Sequence, residues 1–250
     1  MSISITSDIH VRDVGSGEYR YLLKFLNHPK VRSSSEVYLL GDIFDLMIGN
    51  HGQYISRYQD FFSCIKKMLE EGIKIHFFEG NHDLHLKKMF QNEYFEFFNK
   101  KLFFHERPYS TEIEGKKYFF SHGDEIQPGQ YGYKLYKKLI NSIVINILVN
   151  RIIPFKYVDS IGNYFSKKSR EHYRPSAEIE NYVRDSFRLG AMSVAAKGFE
   201  VVVCGHSHIK DFFLGNQFEN PFIYINNGFA AEENSFIYIE NAKIDFITLE

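Results

Sequence analysis

The sequence predicts a layered α/β fold, and three observations carry that prediction. Short apolar stretches of strand length alternate with longer segments of helical periodicity, the pattern of sheets covered by helices. Residues 73–78 are apolar on both faces, as in a strand inside a sheet. His, Asp and Asn gather just behind five of the strand candidates, and strand ends are where an open α/β sheet collects its ligand-binding groups.

Taken in order, residues 2–7 alternate Ser and Ile as a half-buried strand does, and residues 19–26 read as a helix. A second strand is expected at 36–40, then a long helix at 53–71 that Gly72 ends, then the strand at 73–78. Residues 101–106, 110–113 and 117–121 follow as three strands close together. A helical block runs from about 133 to 197, after which strands return at 200–204, 209–214, 222–225, 236–240 and 244–249. No repeat or low-complexity linker divides the chain, so residues 1–250 are expected to form one domain with a helical insertion at about 131–197.

Composition excludes several classes. Apolar residues make up 44% and charged residues 24%, as in ordinary folded proteins, and a net charge of −1 gives no footprint for nucleic acid. Cys64 and Cys204 are too few for a disulfide framework, which fits a reduced, cytoplasmic setting. The strand at 2–7 leads directly into chemistry-bearing residues, so no signal peptide is expected there. Tyr and Phe are spread along the chain and Trp is absent, which reads as composition rather than a stacking surface.

The five clusters are Asp8-Ile9-His10, Gly41-Asp42-Ile43-Phe44-Asp45, Gly80-Asn81-His82-Asp83, Ser121-His122-Gly123-Asp124 and Gly205-His206-Ser207-His208. Any one alone is more often a turn than a site, because turns favour Gly, Asn and Asp. All five in order, each behind a strand, point to a metal site. In extended backbone the X-x-X pairs Asp8/His10 and His206/His208 each point to one side, so each pair can face one centre. Asp42 has two carboxylate oxygens and can bridge two cations. Asn81 oxygen with His122 and His206 imidazoles suits a borderline divalent ion such as Mn, Fe or Zn.

These same five runs resemble the calcineurin-like metallophosphoesterases over nearly the whole chain. The resemblance implies a four-layer α/β/β/α sandwich with a dinuclear site at one edge and a helical insertion as cap. It implies that Asp8, His10 and His208 hold the first ion, that Asn81, His122 and His206 hold the second, and that Asp42 bridges. Two divalent ions, Mn foremost, would polarise phosphoryl oxygens and activate water. His82 is left to stabilise the phosphoryl group or protonate the leaving oxygen as the catalytic residue, with Asp83 expected to orient it. His85 reads as a turn or helix-start residue.

The insertion speaks to substrate. Ile140, Ile143, Val144, Ile147, Leu148 and Ile152 form a helical stripe, widened by Ile145, Val149 and Ile153, with Lys134, Lys137, Lys138, Arg151 and Lys156 around it. It is too short and interrupted to span a bilayer, and suits a helix at the inner-membrane surface, one gripping acyl chains, or a cap packed on the main domain. Its position is similar to that of the cap of the UDP-2,3-diacylglucosamine pyrophosphohydrolases of lipid A biosynthesis, as are Ile48-Gly49, Gly132-Tyr133 and Ser169. That likeness implies cleavage of UDP-2,3-diacylglucosamine to UMP and lipid X, with Asn81, Tyr133, Ser169 and His206 facing the substrate. It departs at His82, where those enzymes carry Arg, and at Gln130, Tyr173 and Ser176, where they carry Asp, Asn and Lys. Lys168, Arg170 and Arg174 can supply positive charge for a diphosphate instead. The alternative is a metallophosphoesterase acting on a nucleotide, a cyclic nucleotide or a phosphomonoester. A non-catalytic scaffold would have no reason to keep paired acids and imidazoles at one edge.

Overall fold

In the computed structural model, residues 1–91, 95, 100–129, 131–160, 176–217 and 220–249 are described, without the side chains of Tyr131, Lys134 and Gln217. The strands are β1 Ser2–Thr6, β2 Glu36–Leu39, β3 Met47–Ile48, β4 Lys74–Phe78, β5 Asp83–Leu84, β6 Leu102–His105 and β7 Tyr109–Ile113. They continue as β8 Lys116–Phe120, β9 Val201–Cys204, β10 Lys210–Gln217, β11 Asn220–Asn227, β12 Ser235–Glu240 and β13 Lys243–Thr248. The first helices are α1 Gly17–Asn27, α2 Pro29–Arg32, α3 Gly52–Arg57, α4 Gln59–Glu70 and α5 Lys87–Phe90. After β8 come α6 Tyr131–Ile140, α7 Ile143–Ile147, a π-helical turn Leu148–Ile152, α8 at 155–160, and α9 Ala177–Ala195, with α10 Ala230–Glu233 near the end.

Period-two alternation makes each strand two-sided, and the sides build the layers. One sheet has the order β13-β12-β1-β2-β4-β6, the other β10-β11-β9-β8-β7, and β3 pairs with β5 alone. Ile3, Ile5, Leu40, Phe78, Ile237 and Ile239 meet Tyr118, Phe120, Val201 and Val203 between the two sheets. On the outer face of the first sheet, Val37, Leu39, Ile75 and Phe77 pack on Leu22 and Phe25 of α1 and Phe61, Phe62 and Ile65 of α4. On the outer face of the second, Val202 and Cys204 pack on Phe187, Ala191 and Val194 of α9. Helix, sheet, sheet, helix is therefore the order of layers. The parallel strands β1, β2 and β4, and likewise β8 and β9, end on one edge and deliver their loops there.

Two local expectations change. The helix expected at 53–71 is two helices, because Tyr58 leaves helical backbone at φ −112 and ψ 40. Its ring enters the core against Phe44 and its hydroxyl donates to the Arg12 carbonyl at 3.3 Å. The second change is the short β3–β5 pair, Met47 beside Asp83 and Ile48 beside Leu84.

The inserted helices expose apolar side chains: Leu139 is 63% and Ile143 76% exposed, and Leu135, Val144 and Ile152 are also exposed. Arg57 of α3 holds α8 through a two-toothed ion pair with Asp159 at 2.7 and 3.1 Å. No described helix is long and apolar enough to cross a membrane.

Candidate metal centre

The loops behind β1 and β2 are zipped together before any side chain matters. Asp8 N donates to the Gly41 carbonyl at 3.1 Å, and both Ile9 N and His10 N donate to the Asp42 carbonyl at 3.0 Å. That pairing brings Asp8 and His10 beside Asp42. Two glycines make room: a Cβ on Gly80 would strike the Asp42 carboxylate, and one on Gly205 the Asp8 carboxylate. Asp8, His10, Asp42, His206 and His208 all have positive φ, from 49 to 67. Such backbone is strained for residues other than Gly and persists only where the surroundings enforce it.

Three groups of potential ligands result among the described residues, and two of them share Asp42. The first is Asp8, His10, Asp42 and His208; the second is Asp42, His122 and His206. In the first, His10 Nε2 lies 3.0 Å from His208 Nε2 and 3.7 Å from Asp42 Oδ2, and His208 Nε2 lies 3.5 Å from Asp8 Oδ1. In the second, His122 Nε2 lies 3.1 Å from Asn81 Oδ1, 3.1 Å from His206 Nδ1 and 3.5 Å from Asp42 Oδ2. Ligand atoms on metal bonds of about 2.1 Å stand about 3–3.5 Å apart, close to the 3.0–3.7 Å of these contacts.

The donor chemistry fits cations at both places. His122 gives its Nδ1 proton to the Leu40 carbonyl at 2.9 Å, so Nε2 turns a lone pair toward Asn81 Oδ1 and Asp42 Oδ2, which also only accept. Such a point requires positive charge. Burial opposes a second proton on His122, yet the Asp42 carboxylate holds this group well above the usual imidazole range. A metal ion at that point supplies the same charge without the proton. Burial pulls His10 well below its ordinary range and, aided by His122, pulls His206 down to about 3. Both are therefore neutral at pH 7 and carry lone pairs, as metal-binding imidazoles must. Imidazole, carboxylate and amide oxygen together suit borderline divalent ions.

His82 belongs to neither of these two; with His10 and Asp45 it makes the third, whose ligand atoms also lie within 4.8 Å of one another. Its Nδ1 donates to the Asp45 carbonyl at 3.0 Å, with the Asp45 carboxylate 3.7 Å away. Burial lowers its pKa, but Asp42 and the Asp45 carbonyl outweigh burial and raise it overall. Asp83, expected to orient His82, does something else. It accepts from Gly80 N at 2.7 Å, Ile43 N at 2.8 Å and Asp42 N at 3.0 Å, tying two of the loops together. Asp45, present in the motif but given no task by the sequence, is the residue that positions His82. It also stands 3.8 Å from His10 Nδ1.

Tyr133 arrives at the site from α6. Its hydroxyl donates to Asp124 Oδ2 at 2.9 Å, and its ring centre lies 5.8 Å from that of His206. Lys137, one turn on, pairs with the same Asp124 oxygen at 2.6 Å. A narrow cleft between Asn81, Tyr133, Tyr136 and Lys137 opens between the loops and the inserted helix. Ser169 lies outside the described residues, as do Gln130, Lys168, Arg170, Tyr173 and Arg174. Ser176 is described and is the N-cap of α9, accepting from Ile179 N.

Comparison with known proteins finds relatives along most of the chain. The chain is 26% identical over 220 residues to the UDP-2,3-diacylglucosamine hydrolase of Pseudomonas fluorescens (strain SBW25), covering 86% of this chain and 83% of that one. It is 23% identical over 210 residues to the protein of the same name from Pseudomonas paraeruginosa (strain DSM 24068 / PA7), covering 83% and 82%. Among solved structures, an archaeal phosphodiesterase aligns at 14% identity over all of both chains with a TM-score of 0.48. A dimetal phosphatase from Danio rerio aligns at 10% identity over 100% of this chain and 99% of that one, with a TM-score of 0.46. The sequence model of a family described as Calcineurin-like phosphoesterase, whose members use a dinuclear metal centre, matches residues 1–210. This chain belongs to that family and is a metal-dependent phosphoesterase.

Proposed function

We propose that the protein hydrolyses the diphosphate of UDP-2,3-diacylglucosamine, releasing UMP and lipid X (2,3-diacylglucosamine 1-phosphate). The observation that carries this reading is an exposed apolar helical surface, Leu139, Ile143 and Val144, built beside two His/Asp groups that share one carboxylate. A soluble phosphate ester gives no reason for that surface, whereas a diacyl sugar does. The names of the curated relatives support the same substrate.

In this reading residues 1–250 are one domain, and 131–197 is its cap. Asp8, His10, Asp42 and His208 would hold one ion, and Asn81, Asp42, His122 and His206 the other. The donor set suits Mn, with Fe or Zn as substitutes. The ions supply Lewis-acid activation of phosphoryl oxygens and of the attacking water. His82, held at Nδ1 by the Asp45 carbonyl, presents Nε2 to the phosphoryl group or leaving oxygen. Tyr133, Asn81 and His206 border the substrate, with Ser169 completing the contact from the cap. Exposed Lys138, Arg151 and Lys156 beside the apolar side chains suit the anionic inner-membrane surface of the cytoplasm, where a diacyl substrate resides.

Acyl chains should increase turnover strongly, since each buried methylene contributes about 0.8 kcal/mol. The purified protein is therefore expected to cleave UDP-2,3-diacylglucosamine far better than UDP-N-acetylglucosamine or p-nitrophenyl phosphate. Replacing Ile143, Ile147 and Leu148 by Ser should impair the lipid substrate and spare the chromogenic one. Equal turnover of acylated and non-acylated substrates would overturn the lipid reading. It would favour the second one, a soluble organophosphate, to which His82 in place of Arg points.

A further inference from the structure

His85 follows β5, three positions after His82, and the turn or helix start expected there describes only its backbone. The side chain is buried, 5% exposed, on backbone at φ 59. Its Nε2 meets the Ile140 carbonyl at the end of α6 at 2.9 Å, and its Nδ1 meets Asn146 Nδ2 in α7 at 2.9 Å. A carbonyl only accepts and an amide NH₂ only donates, so the proton sits on Nε2 and the ring is neutral. Both ring nitrogens are committed to the inserted helices.

A second fastening lies beside it. Asn150 Oδ1 accepts from Asn50 N at 2.7 Å, just after β3, while Asn150 Nδ2 donates to the Asn146 carbonyl at 2.9 Å. β3 and β5 form a small parallel shelf, with Met47 N donating to the His82 carbonyl at 3.1 Å and Gly49 N to the Leu84 carbonyl at 2.9 Å. β3 continues the loop of Asp42 and Asp45, and β5 continues the loop of Asn81 and His82. The inserted helices therefore rest on the direct extension of two loops of the reaction centre. An imidazole buried at such a joint with both nitrogens matched fixes a register that an apolar side chain could not.

We infer that His85 is a positioning residue for substrate: with Asn146 it latches the cap to the shelf, so that a substrate gripped by the cap presents its phosphate at the metal loops. It does not touch the reacting atoms. The inference rests on the reading above only in assigning substrate contacts to the cap; the latch itself rests on the two bonds.

The test compares His85→Leu, which keeps bulk but makes neither bond, with His85→Gln, which carries one donor and one acceptor. Hydrogen exchange of residues 131–160, bound metal, and KM and kcat for UDP-2,3-diacylglucosamine and p-nitrophenyl phosphate are measured on the metal-loaded protein. In His85→Leu, exchange in 131–160 should rise and KM for the diacyl substrate should rise by about tenfold, the scale of two lost buried hydrogen bonds. Metal content and turnover of the small ester should hold, and His85→Gln should restore much of the loss. Asn146→Leu breaks one of the two bonds from the cap side and leaves the one to Ile140, so the double variant should be no worse than His85→Leu alone. Unchanged exchange in His85→Leu and Asn146→Leu, or additive effects in the double variant, would overturn the latch. So would a small-ester rate that falls in step with the large substrate. If the parent does not cleave the diacyl substrate, the proposed function fails, and exchange with the double-variant comparison still decides the latch.

Discussion

His82 keeps its Nδ1 proton on the Asp45 carbonyl, which fixes the ring and leaves Nε2 for chemistry. Its backbone N donates to Asp42 Oδ1 at 2.9 Å and its ring meets that of His10 edge-on at 4.9 Å, yet its imidazole stands outside the two groups that share Asp42, so removing the side chain should not release metal. His82→Ala is expected to retain two ions per chain and lose roughly 10²–10⁴-fold in turnover, the scale of a positioned acid–base group. Metal analysis and steady-state rates on one preparation check both halves; loss of metal would mean the residue is a ligand. That Asp8, His10, Asp42, Asn81, His122, His206 and His208 come together was legible because residue type and spacing behind strands survive in the sequence. The partner of His82 was not legible. A bond to a backbone carbonyl leaves no trace in residue identity, and Asp83, next in the chain, was the nearest acid to suggest.

Between strands β4 and β6, His76 and His105 stack in the layer that joins the two sheets. His76 Nδ1 lies 3.0 Å from His105 Nε2, the rings are nearly parallel at 9°, and Tyr38 and Phe103 cover His76 on either side. Burial pulls His76 to about 3 and His105 to about 4. Above about pH 6.5 both are neutral in the folded and the unfolded chain and add no pH slope. As pH falls below that, the unfolded chain takes up protons that the folded pair refuses, so stability is lost progressively toward pH 4 and below. His76→Phe should flatten the fall of Tm between pH 6.5 and 4, measured calorimetrically; an unchanged slope would assign the acid lability to other groups. Most strands were readable from alternation, whereas β3 and β5, at two residues each, are too short to show a period. The break at Tyr58 was hidden because a buried Tyr suits a helix and the end of one equally well.

Taken as a whole, the molecule has two sheets whose ends meet at the candidate centre. Asp8, His10, Asp42 and Asn81 come from loops of the first sheet, and His122, His206 and His208 from loops of the second. Ions held there cross-link the halves of the fold, so metal should stabilise the folded chain and not only activate it. An ion present at a hundred times its Kd contributes about 2.7 kcal/mol, and a chain of this size moves about 2–4 °C per kcal/mol. Chelation should therefore lower Tm by about 10–20 °C for two such ions. Asp42→Ala should sit near the chelated value and respond little to added metal. A Tm indifferent to chelator would mean that the sheets hold without the cross-link. The stacking of four layers came from family resemblance rather than from periodicity, because alternation says that a face is buried and not what buries it.

The left-handed backbone at Asp8, His10, Asp42, His206 and His208 has a consequence for descent. At each position Gly would relieve strain of about 1–3 kcal/mol, and in the proposed reading each such change would also remove a ligand. Selection for a sturdy fold and selection for hydrolysis therefore pull these five codons in opposite directions. A lineage relieved of its reaction would drift downhill, exchanging ligands for more relaxed residues while the sandwich survived as a scaffold. This chain carries all five in left-handed backbone.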